Sequence, residues 1–422
     1  VTYQEALDFL YPLHRFGIRP GLGRVLELME LLDSPHRRLG MVIHIAGTNG
    51  KGTTAAALAS IFQAAGRKTA LYTSPHLVDF TERIRIGGRQ IPRDKVTDYC
   101  SQIRDAVIRR HMTFFEATTA IAFAWFAEEG VDVSVIETGM GGRLDATNVV
   151  MSDYAVITAI SLEHTAWLGN TIPAISSEKA AIVKKGCRVF TAVCDPVAFR
   201  PIAEAAASCG APVRVAGKDV RWTVDAELEG SLVLDVRSAT NHYQALKAPL
   251  TGAFHASSVT LALMVAEDAG ISEIHIRAGL ERLLRTGYRA RLEKIGEHPS
   301  FFLDVSHNPE GMRRTVDTLL GFRAAYRSVY IIMGLASDKD ARSIIRELSR
   351  LGGSFVPVTI PSERSIPAAE LEKICREEGG EACVFESVKE GLGFLMEKAA
   401  TDDLILATGS FYLAGDILSH YL

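Results

Sequence analysis

Nowhere in the 422 residues do eighteen apolar side chains follow one another, so no stretch is built to cross a membrane as a helix. Cysteine is scarce and scattered. Cys100, Cys187, Cys194, Cys209, Cys375 and Cys383 include no C-x-x-C pair, which argues against a zinc site and for reduced thiols rather than a disulfide framework. Charge of one sign is not in excess either: 46 Lys and Arg face 50 Asp and Glu, which leaves no polyelectrolyte signal for a nucleic-acid backbone. Repeats and low-complexity tracts are missing as well. The first residues, VTYQEALDFLYPL, carry acids on an amphipathic pattern and do not read as a secretory signal. These absences leave a cytoplasmic globular protein with no membrane or nucleic-acid partner. A monomer is expected, because no exposed apolar helix is left without a place.

The chain is too long for one hydrophobic core, so two domains are expected. From about Met41, apolar strand-like runs alternate with helical stretches: MVIHIAG, a helix through Thr54–Ala65, KTALYTS, VDVSVIETG, YAVITAI, CRVFTAV and PVRVAG. Continuous apolar strands separated by helices imply a mostly parallel sheet covered on both faces. Between Val220 and Leu250 the runs shorten and alternate, which predicts a small antiparallel patch. Helical patterns return at SSVTLALMVAEDAG and IRAGLERLLRTG. A second alternating series follows, with strands FFLDV, SVYIIMGL, SFVPVTIP, ACVFES and DLILATGS. The fold class is therefore α/β, with two doubly wound domains: one over 1–287 and a smaller, Rossmann-like one over 288–422. Ligands belong at the carboxyl ends of the strands and in the cleft between the domains.

The loop HIAGTNGKGTT departs from the common phosphate-loop pattern, with Ile45 where a glycine is usual and the hydroxyl one step late at Thr53. Its place between a strand and a helix still suits an anion: Asn49, Gly50 and Gly52 bring the backbone close, Lys51 supplies a point charge, and Thr53 offers a hydroxyl to Mg²⁺. The alternative is a glycine turn that merely joins strand to helix. Glu137 ends its strand beside a second glycine cluster, TGMGGRLDATN, and is placed either to hold a metal or to cap the strand at the surface. His164 leaves the following strand at the same end. Lys179, in SSEKAAIV, reads by spacing alone as a solvated helix lysine. In the second series, Asp304, His307 and Asn308 share one loop before Pro309, where they either serve a nucleotide and a proton transfer or cap the next helix. Lys339 and Ser410 occupy similar loops. Arg289 and Arg291, at the boundary, reach either a γ-phosphate or a salt bridge.

Taken in order, GTNGKGT, YTSPHL…ERIRI, TFFEATTA, IETGMGGRLDATN, EHTAWLGNTIPAISSEKAAIVKKG, SHNPEG, DKD and TGSFYLAG resemble the bacterial folylpolyglutamate synthase/dihydrofolate synthase enzymes of the Mur ligase superfamily, over essentially the whole chain. The resemblance implies an ATP-dependent ligase that joins L-glutamate to dihydropteroate, to reduced folates, or to both, through an acyl phosphate. It implies ATP contacts at Asn49, Gly50, Lys51, Gly52, Thr53, Ser258, Arg291 and Asp304. Mg²⁺ ligands are implied at Thr53, Ser74, Glu137 and His164, and at a carbamylated Lys179. A pteroate pocket is implied at Thr113, Phe114, Phe115, Glu116, Leu144, Asp145 and Ala146, and a glutamate side at His307 and Ser410. Lys51, His164, Lys179 and His307 would carry the catalysis. The chain departs from the family pattern at Phe254, His255 and Ser258, where His, Gln and Asn are usual, and at the RAR stretch that replaces Pro-Gly-Arg. A ligase of the same build acting on another carboxylate, such as a cell-wall precursor, and a nucleotide switch without ligation are the competing readings.

Overall fold

The computed structural model describes residues 2–17, 19 and 21–421. Its first sheet is built from β1 (Met41–Ala46), β2 (Thr69–Tyr72), β3 (Ile84–Ile86), β4 (Arg89–Gln90), β5 (Val133–Glu137), β6 (Tyr154–Ile157), β7 (Arg188–Thr191) and β8 (Val213–Val215). Their order across the sheet is β4-β3-β2-β5-β1-β6-β7-β8, with β2, β5, β1, β6, β7 and β8 parallel and the short β3–β4 hairpin antiparallel at one edge. Helices cover both faces, as the near-continuous apolar strands require. β1 sits between β5 and β6, with Ile45 opposite Glu137 and Ala46 opposite Ile157. The loops leaving these three neighbours therefore open at one place, where the strand order reverses.

The helix Lys51–Ala64 starts one turn earlier than the sequence pattern suggests and is buried almost all round, so it runs through the core rather than over it. The helices Ala256–Asp268 and Glu273–Glu281 pack beside it. At Gly279 a Cβ would stand 2.4 Å from Ile61 Cα, and Ser60 Oγ donates to the Gly279 carbonyl at 2.6 Å. The alternating region forms the expected antiparallel patch of β9 (Arg221–Leu228), β10 (Ser231–Arg237) and β11 (His242–Ala248).

The second sheet holds β12 (Glu293–Glu297), β13 (Ser300–Leu303), β14 (Val329–Met333), β15 (Ser354–Pro357) and β16 (Leu404–Thr408), ordered β12-β13-β16-β14-β15. β12 is an antiparallel edge strand that the sequence pattern did not signal, because EKIGE carries charge and glycine. Conversely, ACVFES is not a strand: it meets β15 only through isolated bridges at Ala382 and Phe385, where the Cys383 and Phe385 N–H groups donate to the Phe355 and Pro357 carbonyls. Among the described residues, no helix is long and apolar enough to cross a membrane.

Candidate active site

The loop after β1 is shaped by its neighbours. A Cβ on Gly47 would lie 1.9 Å from Thr158 Oγ1, and Gly50 turns into the helix with φ of 89°. Gly52 is different, because a Cβ there would meet nothing within 4 Å. The fold does not need glycine at 52, whereas a phosphate approaching the helix N-terminus does. Lys51 Nζ donates to the Gly47 carbonyl at 2.8 Å, and Lys179 Nζ reaches the same oxygen at 2.9 Å. Around this loop Asn49 Nδ2, Thr54 Oγ1, Thr138 Oγ1 and His255 Nε2 are buried without a hydrogen-bond partner. Buried polar atoms rarely stay unpaired, so this cluster marks a place completed by a ligand. Ser258 Oγ donates to the Gly50 carbonyl at 3.4 Å, which puts a short side chain directly beside the loop.

The expected metal ligands gather at the same end. Glu137 is buried, and its carboxylate takes one weak bond, from the Ser74 N–H at 3.3 Å. Burial raises its pKa, with Lys51 opposing. A carboxylate so poorly paired suits a cation, and this is the observation by which the site fits a divalent metal. Among the described residues, no three His, Cys, Asp or Glu side chains form a ready cage. Any ion held here would need hydroxyl, modified-lysine, phosphate or water ligands as well. His164 stands exposed, with φ of 45°, at the start of the short helix Thr165–Leu168. The Thr53 hydroxyl is engaged by Tyr288 OH at 2.7 Å and lies 3.4 Å from His255 Nδ1.

Lys179 is not a solvated helix lysine. It is 1% exposed, and Glu163 Oε1 holds its ammonium at 2.5 Å. Burial first, and then the charge of Lys51, lower its pKa to about 8, against the pull of Glu163. Two ammonium groups converging on one carbonyl account for the second of these causes.

The TFFE stretch is a capping box. Thr113 Oγ1 accepts the Glu116 N–H at 3.3 Å, and Glu116 Oε2 accepts the Thr113 N–H at 2.7 Å, while Arg24 Nε takes Glu116 Oε1 at 2.9 Å. Thr113 and Glu116 thus fix the start of the helix Phe114–Glu128, and Phe114 and Phe115 are what that start presents. Phe114 stacks on His14 at 4.0 Å between ring centres. Phe115 lies against Gly139, where a Cβ would come within 2.6 Å of the ring. Asp145 is buried and accepts the Met140 N–H at 2.9 Å and the Thr147 N–H at 3.0 Å, so it braces the second glycine loop from within. Of its neighbours, Leu144 is exposed and Ala146 buried.

Arg83, to which sequence reasoning gave no role, is the notable addition. Its guanidinium is buried 5.0 Å above the Phe114 ring and donates from Nε to His76 Nδ1 at 2.8 Å. Among the described residues no carboxylate pairs with it. The signal was its place in ERIRI, though nothing in that spacing announces a buried charge.

The second domain closes the cleft with Arg291, whose guanidinium lies 4.8 Å over Phe411. Arg291, Tyr288 and Phe411 join Gly52, Ser74 and Glu137 around a cavity of about 60 Å³. Arg289 instead pairs with Glu293 at 2.5 Å. Asp304 is 2% exposed and directs its oxygens inward to the Leu292 N–H at 3.1 Å, the Ser306 N–H at 3.2 Å and the Thr315 hydroxyl at 2.8 Å. Asn308 caps its helix through Gly311 N–H at 2.8 Å, and Ser410 Oγ accepts the Tyr412 N–H at 3.0 Å. His307 Nδ1 lies 2.9 Å from the Val305 carbonyl. A carbonyl only accepts, so Nδ1 carries the hydrogen and Nε2 is the basic position of the ring. Burial lowers the His307 pKa against that bond, helped by Lys339, Arg291 and, across the cleft, His164.

Comparison with known proteins agrees with this geometry. Residues 45–266 match the Mur ligase middle domain, and residues 290–411 match the Mur ligase glutamate ligase domain. The dihydrofolate synthase/folylpolyglutamate synthase of Bacillus subtilis is 32% identical over 99% of this chain and 98% of its own length. Among solved structures, E. coli FolC in complex with DHPP and ADP superposes with a TM-score of 0.88 at 30% identity, covering 99% of this chain and 97% of that one. The bifunctional folylpolyglutamate synthase/dihydrofolate synthase of Yersinia pestis, complexed with AMPPNP and Mn ion, gives 0.87 at 30% identity over 100% and 98%. A two-sheet ligase scaffold, a phosphate loop with unpaired donors and a buried carboxylate suited to a metal, together with these matches, place the chain in the dihydrofolate synthase/folylpolyglutamate synthase family, whose members use ATP to join L-glutamate to folates.

Proposed function

We propose that the chain adds L-glutamate to dihydropteroate and to reduced folates, and that the residues at the carboxyl ends of β5, β1 and β6 carry the first half-reaction. The loop N–H groups and Lys51 hold the triphosphate of ATP. Glu137, Ser74, His164 and Lys179 hold Mg²⁺, with Thr53 as a further ligand; bound there, the ion neutralises charge on the phosphate oxygens. Lys179 takes part as a carbamate. Its lowered pKa, about 8, supports this, because only a neutral amine attacks CO₂ and because losing the cation relieves its repulsion with Lys51.

The acceptor lies along Phe114, Phe115, Leu144 and Ala146. Arg83, buried and without a carboxylate of its own, is the group that receives one from the substrate. An acceptor carboxylate oxygen attacks the γ-phosphorus, ADP leaves, and an acyl phosphate remains. The glutamate amine, oriented by Ser410 and His307, attacks the acyl carbon. His307 Nε2 removes a proton from the nitrogen, and phosphate departs as the amide forms. Cleft closure by Arg291 and Phe411 keeps water from the acyl phosphate.

The single observation behind this reading is the cluster of buried, unpaired polar atoms around the phosphate loop beside two converging lysines. The test is phosphate release with ATP, Mg²⁺ and glutamate, comparing dihydropteroate, tetrahydrofolate and no acceptor, with mass detection of product. Release should require both co-substrates and yield glutamylated acceptor. ATP consumption that is equally fast without them, and without a glutamyl product, would refute the reading.

A further inference from the structure

The first turn of the helix Ala256–Asp268 brings two side chains against the phosphate loop, Ser258 at Gly50 and His255 at Thr53. His255 is 2% exposed, its ring is 4.1 Å from Phe254, and the edge of Tyr288 meets it at 77°. A neutral imidazole accepts at one ring nitrogen and donates from the other. The Thr53 hydroxyl stands between His255 Nδ1 and Tyr288 OH, at 3.4 and 2.7 Å.

Two hydrogen directions are possible along this row. If Thr53 donated to Tyr288, the phenol hydrogen would need another acceptor, and among the described residues none is within reach. If Tyr288 donates to Thr53, and Thr53 to His255 Nδ1, every hydroxyl hydrogen is used. The cost of an unmade buried hydrogen bond favours the second direction. Thr53 then keeps one lone pair, with its hydrogen fixed away from the phosphate side. His255 Nε2 then bears the ring hydrogen, on the side where the ring meets the Arg291 backbone.

We propose that His255 is a positioning residue: by accepting the Thr53 hydroxyl hydrogen at Nδ1, in a relay that begins at Tyr288, it turns a Thr53 lone pair toward the cation bound with the nucleotide. This rests on the reading of Thr53 as a cation ligand, and it concerns a histidine at a position where the family pattern has glutamine.

The experiment measures, by calorimetry, the affinity for a non-hydrolysable ATP analogue with Mg²⁺ and again with EDTA, the ratio being the metal coupling. His255→Leu and Tyr288→Phe should each reduce the ratio about tenfold and leave the EDTA affinity unchanged. His255→Asn, which returns an acceptor oxygen near the Nδ1 position, should recover most of it. Thr53→Val should lower the coupling at least as far as His255→Leu does, and adding His255→Leu should then change nothing more. Coupling retained in Thr53→Val would refute the cation role of Thr53 itself. Coupling lost in Thr53→Val but kept in His255→Leu would overturn the relay alone. So would an equal loss of affinity with and without Mg²⁺, failure of His255→Asn to rescue, or nitrogen resonances showing the hydrogen on Nδ1.

Discussion

On the first sheet's side of the cleft, Asn49, Thr54, Thr138 and His255 keep buried polar atoms unpaired, Glu137 has one weak bond, and two lysines share a carbonyl. On the second sheet's side, Asp304 holds three donors within 3.2 Å, Asn308 caps a helix and Ser410 accepts a turn N–H. Both sets come from motifs of the same kind, a strand followed by a polar loop. The first side has hydrogen-bonding capacity that the protein does not use, whereas on the second Asp304, Asn308 and Ser410 direct theirs into the fold. Spare capacity in a buried place is energetically unfavourable, and a ligand is what removes the penalty. Substitutions on the two sides should therefore fail differently.

The largest effect is expected on the first side. Lys179→Met should lower turnover by on the order of 10²–10³-fold or more, measured as glutamyl product per folded protein. It should not lower stability. With the Lys179 pKa depressed from 10.5 to about 8, folded and unfolded chains are both protonated below about pH 8, and the folded state bears the full penalty of a buried cation there. Between about 8 and 10.5 only the unfolded chain binds the proton, so this group makes stability rise with pH across that window. Removing it should leave the melting temperature at pH 7 unchanged or raised. The same depression predicts that activation by CO₂ grows as pH rises through about 8 in wild-type protein, and a pH-independent activation would break the argument.

Asp304→Asn should show the opposite pattern. An amide NH₂ placed among the donors from Leu292, Ser306 and Thr315 leaves buried hydrogen bonds unmade, at a cost of about 2–3 kcal/mol in denaturant titration. The affinity for an ATP analogue, measured on the folded fraction, should remain near that of the wild type. Weak analogue binding at unchanged stability would mean that Asp304 contacts the nucleotide directly, and the contrast between the two sides would fail there.

How much of this was legible beforehand follows the same division. The parallel sheets and the antiparallel patch were readable because continuous apolar runs and strict alternation are consequences of which faces are buried. The phosphate loop was readable because its chemistry is local in sequence. β12 was hidden, since an edge strand with one charged face carries little apolar signal, and ACVFES misled for the converse reason. Lys179 was unreadable from spacing. Its burial comes from Gly47 and Glu163, 132 and 16 residues away, and only the assembled sheet brings them together. Arg83 and the Thr53–Tyr288 contact were invisible for the same reason, the latter spanning 235 residues.

The smallest effect expected is at Thr113, and it tests whether the division holds within the proposed acceptor pocket. Thr113 lies beside Phe114 and Phe115, so proximity alone would make it a substrate contact. Its hydroxyl is already committed: it accepts the Glu116 N–H at 3.3 Å and donates to Glu116 Oε2 at 2.9 Å. A side chain engaged in both directions has little left for a ligand, whereas the Phe115 ring is only partly buried. Thr113→Ala should therefore cost about 1 kcal/mol of stability, the usual worth of an N-cap. It should leave KM for dihydropteroate within about twofold, because only uniform binding of substrate would register there. Phe115→Ala should raise that KM several-fold more than it lowers kcat. A raised KM for Thr113→Ala at unchanged stability would show that a satisfied hydroxyl can still read the substrate, and the rule separating frame from ligand would need a different basis.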